Sequence, residues 1–322
     1  MRGRIFVVGS ANMDLVLRVP RLPLAGETLA GSDLELIPGG KGANQACAAA
    51  RSGGDVYFVG CTGNDSFAPQ LIRSLTDAGV NVTRMRTSPG PSGCASIYVQ
   101  PDGQNSIVIS PGANAHVHPD HVRAALCDLT LHDFVLLQLE IPFETVQFTL
   151  ELATSIGAAT ILDPAPGRKL TKDTLRFVRI LTPNQTEAAV LLGIDGFAPK
   201  QEDNELAHLG SEALKLGPES VIFKLGEEGC AIFSSEVALR LRPYLVKAVD
   251  TTAAGDVFNG ALAAGLAEHK TLPRAAEFAS AAAALSVTRA GAQTSVPARA
   301  EIDEFLRKQA RLELRPIALP TP

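Results

Sequence analysis

Gly93–Ile109, with the sequence GCASIYVQPDGQNSIVI, contains two runs of β-branched and aromatic residues separated by Pro101-Asp102-Gly103. Pro-Asp-Gly is a strong turn signal, and the alternating runs on either side of it are typical of strands, so this segment predicts a β-hairpin. A second segment without helical spacing, residues 14–37, also carries apolar side chains at alternate positions. We predict that the two segments form a small β lid at the edge of a larger sheet, where it would close over a ligand.

The rest of the chain alternates between short apolar runs and stretches with helical spacing, which predicts a mainly parallel sheet covered on both faces. The strand-like runs are Ile5–Val8, Val56–Val59, Phe134–Leu139, Thr160–Leu162, Arg179–Leu181 and Val221–Leu225. The clearest helical stretches are Ala43–Arg51, Ala68–Ala78, Glu144–Thr154 and Leu206–Leu216. The fold class is therefore α/β, a three-layer α/β/α domain over residues 1–13, 38–92 and 110–312, with the lid at 14–37 and 93–109 and a C-terminal tail at 313–322.

The composition of the 322-residue chain is that of a globular enzyme, because 46% of the residues are apolar and only 20% are charged. A formal net charge of −5 argues against nucleic-acid partners, since phosphate contacts require a basic surface. The five cysteines include no CxxC pair, which predicts buried, reduced thiols. No signal peptide is recognisable, and charged residues interrupt the Ala-rich run near Ala281–Ala284. We therefore expect a cytoplasmic protein that has no membrane partner.

Pro38–Ala46, PGGKGANQA, is a Gly-rich motif that enters a helix predicted to begin at Ala43. It lacks the first Gly and the Ser or Thr of a Walker A loop. Its glycines let the backbone approach a ligand closely, and Lys41 and Asn44 supply donors to hydroxyl groups, which suits a sugar. A simple turn before a helix explains the same residues.

Gly9–Asp14, GSANMD, follows the first predicted strand at the point where the lid begins. Asn12 and Asp14 alternate, so both side chains can point towards one ligand. A carboxylate paired with an amide suits adjacent sugar hydroxyls. From spacing alone, an ordinary polar loop is the simpler interpretation.

Thr182–Ala188, TPNQTEA, begins where another predicted strand ends. Asn184 can cap the following helix, and Glu187 stands at capping-box distance from it. The alternative is a role in holding phosphate-bound magnesium through water. Lys224–Cys230, KLGEEGC, predicts a hairpin turn and by itself indicates no function.

Val249–Gly260, VDTTAAGDVFNG, places two aspartates around small residues, before a helix predicted from about Ala254 to His269. The N–H groups of a helix's first turn lack partners and attract anions, and small side chains leave room for a phosphate. Asp256 is then either a favourable acidic residue in a first turn or a base that takes a proton from an attacking hydroxyl. Spacing favours neither interpretation.

Eight motifs, in this order, resemble the ribokinase family of carbohydrate kinases over nearly the whole chain, from Ile5 to about Leu306. They are GSANMD, PGGKGANQA, CTGNDSF, LLQLEIP, DPAP, TPNQTEA, VDTTAAGD and RAGAQTSVP. The resemblance implies a ribokinase-like fold and ATP-dependent phosphorylation of a sugar's terminal hydroxyl, with D-ribose as the expected sugar. 2-Deoxyribose, fructose or a nucleoside are alternative substrates, and a non-catalytic sugar or nucleotide sensor is a further alternative, disfavoured because Asp256, Gly255 and Lys41 are intact.

Carried over by position, the resemblance implies that Asp256 is the catalytic base and that the backbone N–H groups of Ala253, Ala254, Gly255 and Asp256 form an anion hole. The residues that would hold the sugar are Asn12, Asp14, Gly40, Lys41, Asn44, Glu140 and Asp256. Those that would contact ATP are Asn184, Lys224, Gly226, Gly229, Gly255 and Ser280, with Glu187 supporting Mg²⁺ indirectly.

The resemblance also implies an activating monovalent cation, K⁺, and a homodimer joined through the lids. The cation ligands would be the side chains of Asp250 and Ser295 and the backbone oxygens of Thr252, Ser286, Arg289 and Gly291. The chain departs from the family's usual residues at Lys224, where Thr is more common, and at Ser280, where Asn or His is more common. Asn12 favours ribose over 2-deoxyribose, because its amide can bond the 2-hydroxyl.

Overall fold

A nine-stranded sheet forms the centre of the protein. The structure is a computed structural model that describes residues 2–197, 202–309 and 312–318. The strands of the central sheet are β1 (Arg4–Val8), β4 (Asp55–Val59), β9 (Phe134–Leu137), β10 (Ala159–Leu162), β11 (Ile180–Leu181), β12 (Ser220–Lys224), β13 (Cys230–Ser234), β14 (Ala238–Leu241) and β15 (Leu314–Pro316). Their order across the sheet is β15-β14-β13-β12-β11-β10-β9-β1-β4.

The six strands from β4 to β12 pair in parallel, and β12, β13, β14 and β15 pair antiparallel at the other edge. The carboxyl ends of the parallel strands meet along one side of the sheet, which is where ligands bind in open α/β folds. The predicted α/β class with a mainly parallel sheet is confirmed.

Helices cover both faces of this sheet, because its strands are apolar on both sides. Along β1, Ile5 and Val7 pack into one core, which includes residues of α1, α8 and α9, whereas Phe6 and Val8 pack into a second core that includes residues of α3, α4 and α7. The helices are α1 (Lys41–Arg51), α2 (Ala68–Asp77), α3 (Pro119–Ala125), α4 (Phe143–Ile156), α5 (Lys172–Leu175), α6 (Gln185–Leu192), α7 (Asp203–Lys215), α8 (Ala254–Ala267), α9 (Leu272–Ser286) and α10 (Arg299–Lys308).

A separate four-stranded sheet, in the order β3-β2-β7-β8, lies at the position of the predicted lid. Its strands are β2 (Asn12–Arg18), β3 (Glu35–Gly39), β7 (Gly93–Val99) and β8 (Asn105–Ser110), and a short pair, β5 (Cys61–Thr62) and β6 (Arg86–Thr87), lies apart from it. β7 and β8 are joined through the predicted turn, where Gly103 has a φ of 85°. The first predicted segment, 14–37, is bounded by β2 and β3, which extend two residues beyond it at each end, and the second, 93–109, coincides with β7 and β8 to within one residue.

Several predicted boundaries differ from the structure by one to three residues, and three of the differences have a clear local reason. α1 begins at Lys41 rather than Ala43, because Gly40 takes a φ of 88° and its carbonyl accepts the N–H of Asn44 at 2.8 Å. α8 ends at Ala267, since His269 adopts a left-handed φ of 63° that stops the helix.

The third difference is the predicted C-terminal tail at 313–322. Its residues Leu314–Pro316 form β15 at the sheet edge, and Ile317 is buried, with its N–H donating to the Ala238 carbonyl at 2.8 Å. Residues 319–322 of the predicted tail lie outside the described residues.

The five cysteines are free thiols. Cys47, Cys61 and Cys230 are buried as predicted, but Cys94 is half-buried and Cys127 is exposed. None of the helices in the described ranges is long and apolar enough to cross a membrane.

Candidate active site

Asp256 lies in the first turn of α8 and is only 6% exposed. Its Oδ2 accepts a hydrogen bond from Asn44 Nδ2 at 3.1 Å, and its Oδ1 accepts one from Gln45 Nε2 at 2.9 Å. Both donors stand on α1, which packs closely on α8 because Gly260 has no side chain to separate the two helices. The carboxylate is therefore fixed in direction by two amides on a neighbouring helix.

The residue before α8 has an unusual backbone. Ala253 has a φ of 58° and a ψ of 12°, a left-handed conformation that residues other than glycine seldom adopt. A left-handed residue beside helical ones is the backbone pattern of an anion-binding nest. Of the four N–H groups predicted to form the anion hole, that of Ala254 donates to the Thr251 carbonyl at 3.2 Å. Gly255 and Asp256 lie in the first turn, where N–H groups have no acceptor within the helix.

The Gly-rich entry to α1 packs directly against the Gly9–Asp14 segment. A Cβ on Gly40 would lie 2.7 Å from the backbone nitrogen of Asn12, and one on Gly42 would lie 2.6 Å from that of Ser10. A Cβ on Gly39 would overlap the Asp14 carboxylate. The glycines therefore permit the two predicted sugar motifs to meet, which spacing alone left undecided.

Asn12 is held by a residue that the sequence analysis did not single out, Asn114. Asn114 Nδ2 donates to Asn12 Oδ1 at 2.7 Å, while Asn114 Oδ1 accepts the N–H of Ala11 at 2.9 Å. Both asparagines are nearly fully buried, at 2% and 1% exposure. Asn114 thus fixes the orientation of the Asn12 amide.

Glu140 joins the same region from the end of the sheet. Its Oε2 accepts hydrogen bonds from Ser10 Oγ at 2.6 Å and from the backbone N–H of Lys41 at 3.0 Å. Glu140 therefore connects the end of β1 to the start of α1. Ser10, which holds the Glu140 carboxylate, is a second residue of this region that was not predicted from the sequence.

The charges of this region act on one another. Burial first, and then the nearby charges of Glu140 and Asp256, raise the pKa of Asp14 to about 7. Burial raises the pKa of Asp256 above its usual value, against the opposing charge of Lys41. Burial lowers the pKa of Lys41, but the surrounding carboxylates, Asp256 first, outweigh it, so that this pKa lies above its usual value and the side chain stays protonated.

A cavity of about 640 Å³ opens on the other side of the α8 N-terminus. Its wall includes the predicted nucleotide contacts Lys224, Gly226, Gly229, Gly255 and Ser280. Most of its lining is apolar or small, including Tyr244, Phe258 and Ala284.

The predicted hairpin turn is confirmed, since β12 and β13 pair antiparallel on either side of Gly226–Glu228.

Asn184 and Glu187 form a reciprocal capping box at the start of α6. Asn184 Oδ1 accepts the N–H of Glu187 at 2.8 Å, and the Glu187 carboxylate accepts both the backbone and the side-chain N–H of Asn184. Burial and the charge of Asp163 raise the pKa of Glu187. The capping interpretation is thus confirmed, and a contact of either residue with ATP or magnesium stays a prediction.

Asp250 accepts hydrogen bonds from two segments that contain predicted cation ligands, one before α8 and one after α9. Its Oδ1 accepts the N–H of Thr252 at 2.9 Å, and its Oδ2 accepts the N–H of Gly291 at 2.8 Å. Ser295 Oγ donates to the Ala292 carbonyl at 2.8 Å. The backbone oxygen of Ser286, another predicted ligand, accepts the N–H of Arg289 at 3.0 Å. Within the described ranges, no three His, Cys, Asp or Glu side chains form a metal-binding cluster.

A buried polar network behind Asp256 went unrecognised in the sequence. Gln45 Nε2 also donates to Asp163 Oδ2 at 2.8 Å, and Gln45 Oε1 accepts from Gln138 Nε2 at 2.6 Å. Gln138 and Asp163 directly follow β9 and β10, and both are almost fully buried. A polar residue at the end of an otherwise apolar strand was the available signal, because such residues are rarely buried without a partner.

The chain matches the model of the pfkB family carbohydrate kinases over residues 2–299. It belongs to that family. Ribokinase of Haemophilus influenzae is 39% identical over 307 residues, covering 95% of this chain and 99% of that protein, and ribokinase of Bacillus subtilis is 40% identical over 303 residues, covering 94% and 99%. The structure of Arabidopsis thaliana ribokinase complexed with ribose and ATP matches with a TM-score of 0.85 and 33% identity, over 95% of this chain and 99% of that one.

Membership of the pfkB family confirms the predicted fold and the predicted class of enzyme, an ATP-dependent carbohydrate kinase. The structure brings Lys41, Asn44 and Glu140 into one connected region around Asp256, and it packs Asn12 against Gly40 and Asp14 against Gly39. Asp250 and its loop partners lie in a second, separate set of hydrogen bonds.

Proposed function

We propose that this pfkB-family protein is an ATP-dependent ribokinase, which transfers the γ-phosphoryl group of ATP to the 5-hydroxyl of D-ribose and releases D-ribose 5-phosphate and ADP. The observation that carries the proposal is the position of Asp256. It is held by two amides on the side of the sugar motifs, while the N-terminus of its own helix borders the nucleotide cavity. The ribokinases that resemble the chain along nearly its full length support the choice of sugar.

The chemistry follows from this arrangement. The 5-hydroxyl oxygen attacks the γ-phosphorus, the bond from that phosphorus to the β–γ bridging oxygen breaks, and the hydroxyl proton passes to the Asp256 carboxylate. The electron pair of the broken bond leaves with ADP. The first-turn N–H groups stabilise charge on the transferring group, a contribution typically worth about 3 kcal/mol per donor.

On the sugar side, Asn12, Asp14, Gly40, Lys41, Asn44 and Glu140 hold the ring hydroxyls. Neighbouring carboxylate and amide groups can bond two adjacent hydroxyls at once, and Asn12 is positioned for the 2-hydroxyl by Asn114. On the nucleotide side, Gly226, Gly229 and Ser280 contact ATP, because they line the cavity that borders the α8 N-terminus.

Magnesium would be held chiefly by the phosphates of ATP, where it neutralises their charge. Both oxygens of Glu187 already accept hydrogen bonds, which suits an indirect role through water.

The oxygen-only donor set around Asp250 and Ser295 fits a monovalent cation. Such a cation would order the loop before α8. K⁺ in place of Na⁺ should then raise kcat, Asp250→Asn should abolish the difference, and equal activity in both salts would count against the cation site.

We also propose that two chains associate through their lids. β8 is an edge strand with three consecutive exposed apolar residues, Ile107, Val108 and Ile109, and Leu34 and Leu36 are exposed at the other edge. An apolar, unpaired strand edge favours pairing with a second copy. Light scattering should give the mass of a dimer, and a monomer at working concentration would contradict the proposal.

A sugar panel tests the proposed function. ADP release is measured with D-ribose, 2-deoxyribose, D-fructose and a nucleoside, each with and without K⁺. We expect the highest kcat/KM with D-ribose. A higher kcat/KM with another sugar would change the substrate, and binding of sugar and ATP without turnover would favour the non-catalytic sensor.

A further inference from the structure

Lys224 occupies an unusual position between a buried carboxylate and the N-terminus of α8. Its side chain is 11% exposed, and its Nζ lies 2.8 Å from Oδ1 of Asp163, whose side chain is 2% exposed. On the opposite side, Nζ lies 3.5 Å from the point that a Cβ on Gly255 would occupy. Both Lys224 and Gly255 border the nucleotide cavity. The ammonium group is therefore adjacent to the first turn of α8, on the cavity side.

The ion pair is also connected to the proposed catalytic base. Asp163 Oδ2 accepts from Gln45 Nε2 at 2.8 Å, and the same nitrogen donates to Asp256 Oδ1 at 2.9 Å. A single amide thus joins the two carboxylates and fixes their separation. Because Gln45 and Asp163 are nearly fully buried, this connection has little freedom to rearrange.

A purely structural ion pair does not account for this geometry. Burying two charges costs solvation, and an apolar pair of similar size is often at least as stable. The positive end of the α8 dipole repels an ammonium group placed beside it. An ammonium has three donors, and the bond to Asp163 uses one of them. An anion bound between the ammonium and the first-turn N–H groups would be attracted by both, would offset the repulsion between them, and would provide acceptors for the remaining donors.

We propose that Lys224 is a further catalytic residue, whose ammonium group binds the transferring γ-phosphoryl group, and that Asp163 is the positioning residue that holds it there. This inference rests on the proposed kinase function and deepens it. As the sugar oxygen attacks the γ-phosphorus and ADP departs, Lys224 keeps its proton and offsets the negative charge on the phosphoryl oxygens. The hydroxyl proton still goes to Asp256, so no other reactant is required.

The decisive test separates phosphate binding from ion-pair stability. Lys224→Met should lower kcat about 100-fold, as the loss of one such donor typically does. It should also lower the melting temperature, since Asp163 is then buried without a counter-charge. The double variant Asp163→Asn/Lys224→Met removes both charges, so its melting temperature should return towards that of the unaltered chain while its kcat stays low. A double variant with restored turnover would overturn the proposal, because Lys224 would then matter only as a partner of Asp163.

Calorimetry without sugar supplies a readout that does not depend on the substrate. Lys224→Met should weaken binding of a non-hydrolysable ATP analogue about tenfold, a loss of one charge-assisted contact, and leave the affinity for adenosine unchanged. Equal losses for both ligands would contradict a phosphate contact. Lys215→Met is the control, since Lys215 makes an exposed ion pair with Glu212 at 2.7 Å and should change neither affinity. A failure of ribose as substrate would leave this measurement intact.

A substitution of Asp163 should also change the pH dependence of turnover. Its charge is among the causes that raise the pKa of Asp256, together with burial and against the charge of Lys41. Asp163→Asn should therefore shift the acidic limb of the kcat profile, measured at saturating sugar, to lower pH, besides lowering kcat. Lys224→Arg should retain more turnover than Lys224→Met, because it keeps the positive charge. An unshifted acidic limb in Asp163→Asn would show that Asp163 does not act on the base through charge.

Discussion

The sugar side and the nucleotide side of the site meet at the start of α8 but are built in opposite ways. On the sugar side, polar groups such as Asn12, Asn44 and Asp256 are buried and make side-chain hydrogen bonds with neighbouring elements. On the nucleotide side, small and apolar residues enclose a cavity of about 640 Å³, and Leu245 at its edge is 93% exposed.

This difference reflects what each side has to do. A reacting hydroxyl must be held in one direction relative to its base, and an error of an ångström in such a position is costly. A nucleotide base needs a cavity of suitable shape, where burial supplies the affinity and few groups fix the orientation. We therefore expect variants on the sugar side to change the chemical step. Variants on the nucleotide side should change mainly the KM for ATP, except at Lys224 and the first turn of α8, which face the transferring phosphoryl group.

The largest effect is expected from Asp256→Asn. The amide cannot accept the hydroxyl proton, so kcat should fall by at least about 100-fold, while calorimetry should show sugar binding largely intact. Asp120→Asn is a matched control, because Asp120 also lies in the first turn of a helix, α3, but is exposed and remote from the hydrogen bonds described above. Unchanged turnover in Asp256→Asn would remove this residue from its proposed role.

An intermediate effect is expected from the titration of Asp14, whose pKa burial and nearby charges raise to about 7. The ionised carboxylate accepts hydrogen bonds from sugar hydroxyls, whereas the protonated form has lost one acceptor. Because the group ionises as pH rises through its pKa, sugar affinity should increase about tenfold between about pH 6 and pH 8. Calorimetry at a series of pH values measures this.

Asp14→Asn is the matched variant for this titration, since it is neutral at every pH and similar in size. Its sugar affinity should lack the rise near pH 7, even though Glu140 and Asp256 still titrate nearby. A rise of equal size in Asp14→Asn would assign the pH dependence to one of those two carboxylates instead.

The contrast between the two sides also explains what could be predicted from sequence. The alternation of apolar runs and helical stretches predicted the sheet, and the Pro-Asp-Gly turn predicted the lid hairpin, because both signals are local. The contacts of Asn114 with Asn12 and of Gln45 with Asp163 join residues 102 and 118 positions apart. No local pattern encodes such pairs, and they depend on how α1, the lid and the sheet pack together.

Two local departures had equally specific causes. Lys41 belongs to the helix because Gly40, in a conformation that favours glycine, completes the turn before it. Leu314–Pro316 forms an edge strand because β14 offers an unpaired edge, which sequence periodicity over three residues cannot reveal. Residue types and their order therefore predicted the elements and the motifs that follow them, whereas the contacts between those motifs required the structure.

The smallest effect is expected on the nucleotide side, from Ser280→Leu. Ser280 stands on α9 at the cavity wall, with its Oγ 3.8 Å from the sulfur of Cys230. A leucine would project further into the volume that we assign to the adenine, so the KM for ATP should rise about tenfold, or 1.4 kcal/mol, with kcat nearly unchanged. Ser280→Ala, which adds no volume, should leave both constants close to those of the unaltered chain. A fall in kcat in Ser280→Leu without a change in the KM for ATP would contradict this expectation, because it would show that the α9 wall of the cavity affects the chemical step rather than nucleotide binding.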